Sequence, residues 1–170
     1  KAKEIIIMGG AGFEPGNITP AAEFNIYVDP HAARSVFNSG LEITMFGLDV
    51  THQMIISPDR LKKLKLSSKV IGPVVADFLD FFNSYDTKKY GWEGAPLHDP
   101  CTIAWLINRN IFEGRKMSVE VETNEGPAYG RTVADWFNTT DKAKNVFVIT
   151  NGDSDLFFKL LVDRFKYFDL

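Results

Sequence analysis

Pro96-Leu97-His98-Asp99-Pro100 sets an imidazole beside a carboxylate at the head of an apolar segment, a pairing suited to acid–base chemistry or to holding a metal ion. The carboxylate also has a structural explanation. Asp99 followed by Pro100 is the N-cap and first-position pattern of a helix continuing through Cys101 to Ile107, where the side-chain oxygen accepts first-turn amides. Capping does not explain His98. A second polar group, Asn17 with Glu23-Phe24-Asn25, follows an apolar run at Glu4 to Met8, and open α/β sheets bind ligands beyond strand ends of this kind. An amide and a carboxylate together suit sugar hydroxyls, and bonds to loop backbone explain them equally well.

Between that run and Asn17 lies Gly9-Gly10-Ala11-Gly12-Phe13-Glu14-Pro15-Gly16, which invites a dinucleotide-binding reading. The spacing is not G-x-G-x-x-G, Glu14 repels a pyrophosphate, and Pro15 opposes a helix starting in register to present its amides. No nicotinamide or flavin cofactor is therefore expected, and the loop is left to bring backbone close to a small ligand. Of the other histidines, His31 is expected on a solvated helix surface. His52, in Asp49-Val50-Thr51-His52, is expected near a strand end with its role open.

The elements that must position these residues follow from hydrophobic periodicity. Glu4 to Met8 predicts a fully buried parallel strand, Ala32 to Phe37 a helix opened by Asp29-Pro30 and closed at Gly40, and Ile43 to Leu48 a second strand. Ser57-Pro58 opens a short helix, and Arg60 to Lys65 reads as its solvated face. Lys69 to Tyr85 carries apolar residues near 3.6-residue spacing, with Phe81-Phe82, like Phe157-Phe158 later, expected in the core. Asp86 to Leu97 is expected as a functional loop holding Tyr90 and Trp92. Met117 to Glu122 and Asn145 to Ile149 predict strands, and Asp153 to Phe168 a final amphipathic helix. Alternating strands and helices predict an α/β fold, a mostly parallel sheet flanked by helices, with residues 1–170 forming one domain.

Composition bounds the function. With 45% hydrophobic residues, 19 Lys and Arg against 22 Asp and Glu, and a net charge of -3, the chain lacks a basic footprint for nucleic acid. No segment approaches the ~20 apolar residues that span a bilayer, and Lys1-Ala2-Lys3-Glu4 leads directly into a strand, so a cytoplasmic protein is expected. Cys101 is the single cysteine, which rules out an internal disulfide, and its apolar setting predicts an inert buried thiol.

Six blocks in order carry a resemblance: Met8-Gly9-Gly10, Gly16-Asn17, Ala22-Glu23-Phe24-Asn25, Asp29-Pro30, Leu48-Asp49-Val50-Thr51-His52 and Pro96-Leu97-His98-Asp99-Pro100. Across nearly its whole length the chain resembles inosine–uridine preferring nucleoside hydrolases. Within them it is most similar to pyrimidine-preferring bacterial enzymes, since Tyr90 stands eight residues before His98. The resemblance implies the Rossmann-like nucleoside hydrolase fold and cleavage of a ribonucleoside to ribose and free base in pyrimidine salvage and nucleoside catabolism. It also implies calcium as cofactor and a homotetramer or homodimer.

Carried over by position, the resemblance makes Asp99 a calcium ligand and Asn17, Glu23 and Asn25 ribose-binding residues, with Asn17 and Glu23 towards the 5′-hydroxyl. It makes Met8 an apolar wall beside the sugar, and His98 and Tyr90 the residues facing the base. The family's N-terminal D-x-D-P-G-x-D-D motif, which supplies the other calcium carboxylates and the general base, does not occur in the sequence. The expectation is accordingly a C-terminal half that catalyses only with an N-terminal half. The alternative is an inactive relict domain that binds a nucleoside or a protein partner, and a dehydrogenase-type enzyme is disfavoured by the glycine spacing.

Overall fold

The computed structural model describes residues 2–169, less the side chains of 85, 86 and 89. Lys1, in the expected lead into the first strand, lies outside the described residues. The chain runs β1 (Glu4–Met8), α1 (Phe24–Tyr27), α2 (Pro30–Phe37), β2 (Glu42–Phe46), α3 (Leu48–Thr51), α4 (Pro58–Ser67), α5 (Ile71–Tyr90) and α6 (Pro100–Ile107). It continues through β3 (Phe112–Met117), β4 (Val119–Val121), β5 (Thr132–Ala134), β6 (Val146–Gly152) and α7 (Ser154–Phe165). Packing divides these into two compact units, Lys1–Thr51 with His98–Gly152, and His52–Leu97 with Asp153–Leu170.

The first unit is built on a four-stranded sheet in the order β1-β2-β6-β3. β1 and β2 pair in parallel from Glu4 opposite Glu42 to Met8 opposite Phe46, β2 pairs in parallel with β6, and β3 joins β6 antiparallel. This is the expected mostly parallel sheet, and β3 adds to it an antiparallel edge strand that the sequence reading did not include. β1 is half-buried along its length rather than fully buried, because it is an edge strand with β2 as its sheet neighbour. β2 leaves the sheet at Gly47, so Leu48 opens a short helix instead of ending a strand.

The expected strand from Met117 to Glu122 is two elements. β3 ends at Met117, and β4 pairs with β5 in a separate two-stranded sheet. Ile26, Phe37, Ile43, Met45, Met117, Val119, Val121, Val146 and Val148 form one core cluster that spans both sheets and the inner faces of α1 and α2. Removing such surfaces from water is the main stabilising contribution to a unit of this kind.

In the second unit α4 packs on α5 and on α7. Ser57 caps α4 by accepting from the Arg60 amide, and Pro58 takes the first position, as expected. Arg60 itself departs from a solvated face. Its guanidinium donates to the Ile55 carbonyl at 2.8 Å, the Ser154 hydroxyl at 2.8 Å and Asp155 at 2.7 Å, and it lies 4.4 Å from the centre of the Phe158 ring. Lys62, Lys63 and Lys65 are exposed.

α5 continues to Tyr90, beyond the expected end at Tyr85, and stops where Gly91 adopts φ +69° and donates to the Thr87 carbonyl. That left-handed cap suits glycine, which has no Cβ to clash. The expected loop from Asp86 thus begins at Gly91. Phe157 and Phe158 are buried, whereas Phe81 is 81% exposed and Phe82 51%. Periodicity groups these two rings with Val74 and Phe78, which are also exposed, so this apolar face of α5 is uncovered among the described residues.

Candidate active site

The segment from Gly9 to Asn25 leaves the C-terminal end of β1, and each of its first six amides has an acceptor. Gly9 donates to the Phe46 carbonyl at 3.0 Å, Gly10 to Glu23 Oε2 at 2.9 Å and Ala11 to Thr132 Oγ1 at 2.9 Å. Gly12 donates to Asp49 Oδ2 at 2.8 Å, and Phe13 and Glu14 donate to Asp49 Oδ1 at 2.6 and 2.9 Å. The glycines let backbone and carboxylates approach this closely.

Glu23 is the N-cap of α1, accepting from the Asn25 amide at 2.9 Å and the Ile26 amide at 3.4 Å as well as from Gly10. The residue is 2% exposed. Burial pushes its pKa above the ordinary value; the amide donors of Asn25, Gly10 and Ile26 oppose the rise, and the Asp99 charge adds to it. Asn17 Oδ1 accepts from the Phe24 amide at 2.9 Å. Asn25 is exposed, and its Nδ2 donates to the Met8 carbonyl at 3.2 Å and to Met8 Sδ at 3.3 Å.

Met8, Asn17, Glu23 and Asn25 are therefore drawn together at one strand end. The loop-backbone reading is the one seen directly: Asn17 and Glu23 bond backbone, and in doing so they shape a turn that leaves the Asn25 side chain exposed.

His98 Nδ1 lies 2.8 Å from Oγ1 of Thr51, a fully buried residue ending α3. Asp99 stands at the N-cap position of α6, yet its carboxylate makes no capping bond. Its backbone is αR, at φ -60° and ψ -38°, whereas a capping residue needs an extended conformation to turn its side chain onto the first-turn amides. The Asp99 carbonyl instead accepts from the Thr102 amide and hydroxyl, and the residue is exposed. Cys101 is fully buried, and desolvation pushes its thiol pKa up to about 12, in keeping with an inert cysteine.

Tyr90 belongs to the second unit, where its ring stacks on Trp92 at 4.6 Å between centroids. The His52 ring meets Trp92 edge-on at 4.8 Å, so the histidine with an open role joins an aromatic group. His31 is exposed, as expected.

Asp49, Thr51, Arg131 and Thr132 escaped the sequence reading as site-building residues. Asp49 and Thr51 left a signal, being polar within an otherwise apolar stretch. Arg131 and Thr132 left none, because they act on backbone more than 100 residues away.

Among the described residues no group of three or more His, Cys, Asp or Glu side chains is placed to hold a metal ion. Asp99 offers one carboxylate, and calcium takes roughly six to eight oxygen ligands. The described residues do not make a calcium site by themselves, and no step below is routed through one. No helix among the described residues is long and apolar enough to cross a membrane.

The profile of the inosine-uridine preferring nucleoside hydrolases matches residues 1–159. The chain belongs to that family. Among curated nucleoside hydrolases, a pyrimidine-specific ribonucleoside hydrolase of Shewanella baltica is 46% identical over 170 residues, which cover 99% of this chain and 53% of that protein. An uncharacterized protein of Schizosaccharomyces pombe is 46% identical over 164 residues. The fold matches that of a purine-preferring ribonucleoside hydrolase from Gardnerella vaginalis with a TM-score of 0.84 at 32% identity, covering 96% of this chain and 52% of the other. A plant nucleoside hydrolase matches with a TM-score of 0.86 at 30% identity, covering 96% and 53%. The chain spans about half the length of the nucleoside hydrolases it matches.

Proposed function

We propose that this chain forms the ribose-binding and leaving-group side of an N-glycosidic hydrolase that cleaves pyrimidine ribonucleosides, such as uridine or cytidine, to ribose and free base. The observation that supports this best is the gathering of Met8, Asn17, Glu23 and Asn25 at the C-terminal end of β1. The pyrimidine preference rests on the description of the relatives that are 46% identical.

In this reading Asn25 contacts the ribose hydroxyls while Asn17 and Glu23 face the 5′-hydroxyl, and Met8 forms the wall beside the ring. Cleavage breaks the bond from C1′ to the base nitrogen, and a water oxygen replaces it. The transition state is oxocarbenium-like, so oxygen ligands and negative charge around the sugar lower its energy more than that of the substrate. The departing base takes up a proton or hydrogen bonds, and His98, held by Thr51, and Tyr90 are the groups assigned to it. The proton acceptor for the water is assigned to no residue of this chain.

Asp99 would supply one carboxylate to a calcium ion, which would need its remaining ligands from a segment outside these residues. The complete enzyme, a cytoplasmic homodimer or homotetramer, contains both parts. Release of ribose from uridine, cytidine and inosine by the complete enzyme and its Asn25→Ala variant tests the reading. Cleavage with uridine or cytidine preferred and lost in the variant supports it; unchanged turnover removes Asn25 from the site.

A further inference from the structure

We propose that Asp49 and Arg131 are positioning residues, which hold the backbone of residues 12–21 so that Asn17 and Glu23 meet the sugar. The inference rests on the functional reading above. Asp49 works from one side. The residue is 9% exposed, and its carboxylate takes the three successive amides of Gly12, Phe13 and Glu14 at 2.6 to 2.9 Å. Arg131 works on the carbonyls of the same turn: Nη2 donates to Gly12 at 2.9 Å, and Nη1 donates to Glu14 at 2.8 Å and to Ala21 at 2.9 Å.

The span from Glu14 to Ala21 is the part of the loop that carries Asn17, and Arg131 ties its two ends together. Ala21 stands two residues before Glu23, so the same guanidinium fixes the approach to the buried carboxylate. A flat fork with several donors can serve three carbonyls at once, whereas a lysine ammonium is a single point donor. The room for the Asp49 bonds comes from Gly47, where a Cβ would fall 2.8 Å from Asp49 Oδ2 and 2.9 Å from the Gly10 carbonyl. The loop is thus held through its main chain from both polar faces, by two residues that the functional reading does not use.

A role in positioning differs from general support in what it does to substrates. Uridine and 5′-deoxyuridine differ only in the hydroxyl that Asn17 and Glu23 face. In the complete enzyme, Arg131→Lys is expected to lower kcat/KM for uridine by on the order of tenfold to a hundredfold, the scale of a small misplacement, while 5′-deoxyuridine changes little. The discrimination between the two substrates then shrinks. Asp49→Asn, which keeps the size and one acceptor oxygen, is measured alongside and decides the matter if Arg131→Lys does not fold by thermal melting.

If the wild type discriminates and a folded variant loses rate equally on both substrates, or on neither, the positioning role alone is overturned. If the wild type treats both substrates alike, the 5′-hydroxyl assignment falls and takes the positioning role with it. If it hydrolyses neither, the functional reading itself fails.

Discussion

His98 Nδ1 and Thr51 Oγ1 lie 2.8 Å apart although 47 residues separate them in the chain. The threonine is fully buried and fixed at the end of α3, so the bond sets the plane of a half-buried imidazole. In the complete enzyme His98→Ala is expected to slow uridine hydrolysis about a hundredfold, the usual contribution of one positioned acid–base group. Thr51→Val, which keeps the shape and removes the hydroxyl, is expected to lose part of that factor. Ribose release by both variants measures it, and a full rate in Thr51→Val shows that the ring is oriented by something else.

Asn25 is exposed, and its side-chain amide donates to the carbonyl and sulfur of Met8. Asn25→Ala should therefore melt within a few degrees of the wild type, since exposed changes cost little stability. Its turnover should fall about a hundredfold or more, as when a donor to a charge-developing transition state is removed. A large loss of melting temperature instead would make the residue structural.

For Glu23 the sign of the pH effect follows from burial. The folded state binds the proton more tightly than the unfolded chain does, because the pKa lies above the ordinary 4.5. The associated stability is fully present below 4.5 and is lost as pH rises through the raised folded value. Glu23→Gln cannot ionise. The melting temperature of the wild type relative to this variant should accordingly decline as pH rises from 4.5 through the raised folded value, and a constant difference contradicts the burial argument.

Cys101 is buried with its thiol pKa raised to about 12. A thiol-specific chromogenic reagent should leave the folded protein untouched at neutral pH and titrate one thiol in denaturant. Rapid reaction of the native protein would place the sulfur at the surface.

The 170-residue chain alone should show no calcium-dependent uridine hydrolysis and no rise in melting temperature with millimolar calcium. A lone carboxylate binds that ion too weakly to shift folding. Calcium-dependent turnover by this chain would mean that its own residues complete the site.

Much of the first unit was legible because the signals are local. Glu4 to Met8 is a β-branched run, Asp29-Pro30 announces a helix start, as Ser57-Pro58 does in the second unit, and Asn17, Glu23 and Asn25 stand out as polar residues following a strand. Asp99 misled because identity and spacing allow a cap, while the decisive quantity is a backbone angle. Phe81 and Phe82 misled because periodicity reports which face is apolar, not whether another element covers it. β3 was missed because Glu113-Gly114-Arg115-Lys116 has no apolar alternation. Arg131 gave no sign, since its partners are carbonyls far away in the chain.

The six consecutive amides from Gly9 to Glu14 are bonded within the protein, four of them to the carboxylates of Glu23 and Asp49. Glycine-rich turns after a strand often serve as anion cradles, and here the donors of the cradle are already occupied by the protein's own anions. An incoming monophosphate ester would meet like charge and no amide to receive it over that stretch. In the proposed function this stretch therefore offers no amide to a 5′-phosphate, so a phosphatase-type reaction must act on nucleotides before their sugar and base can be parted here.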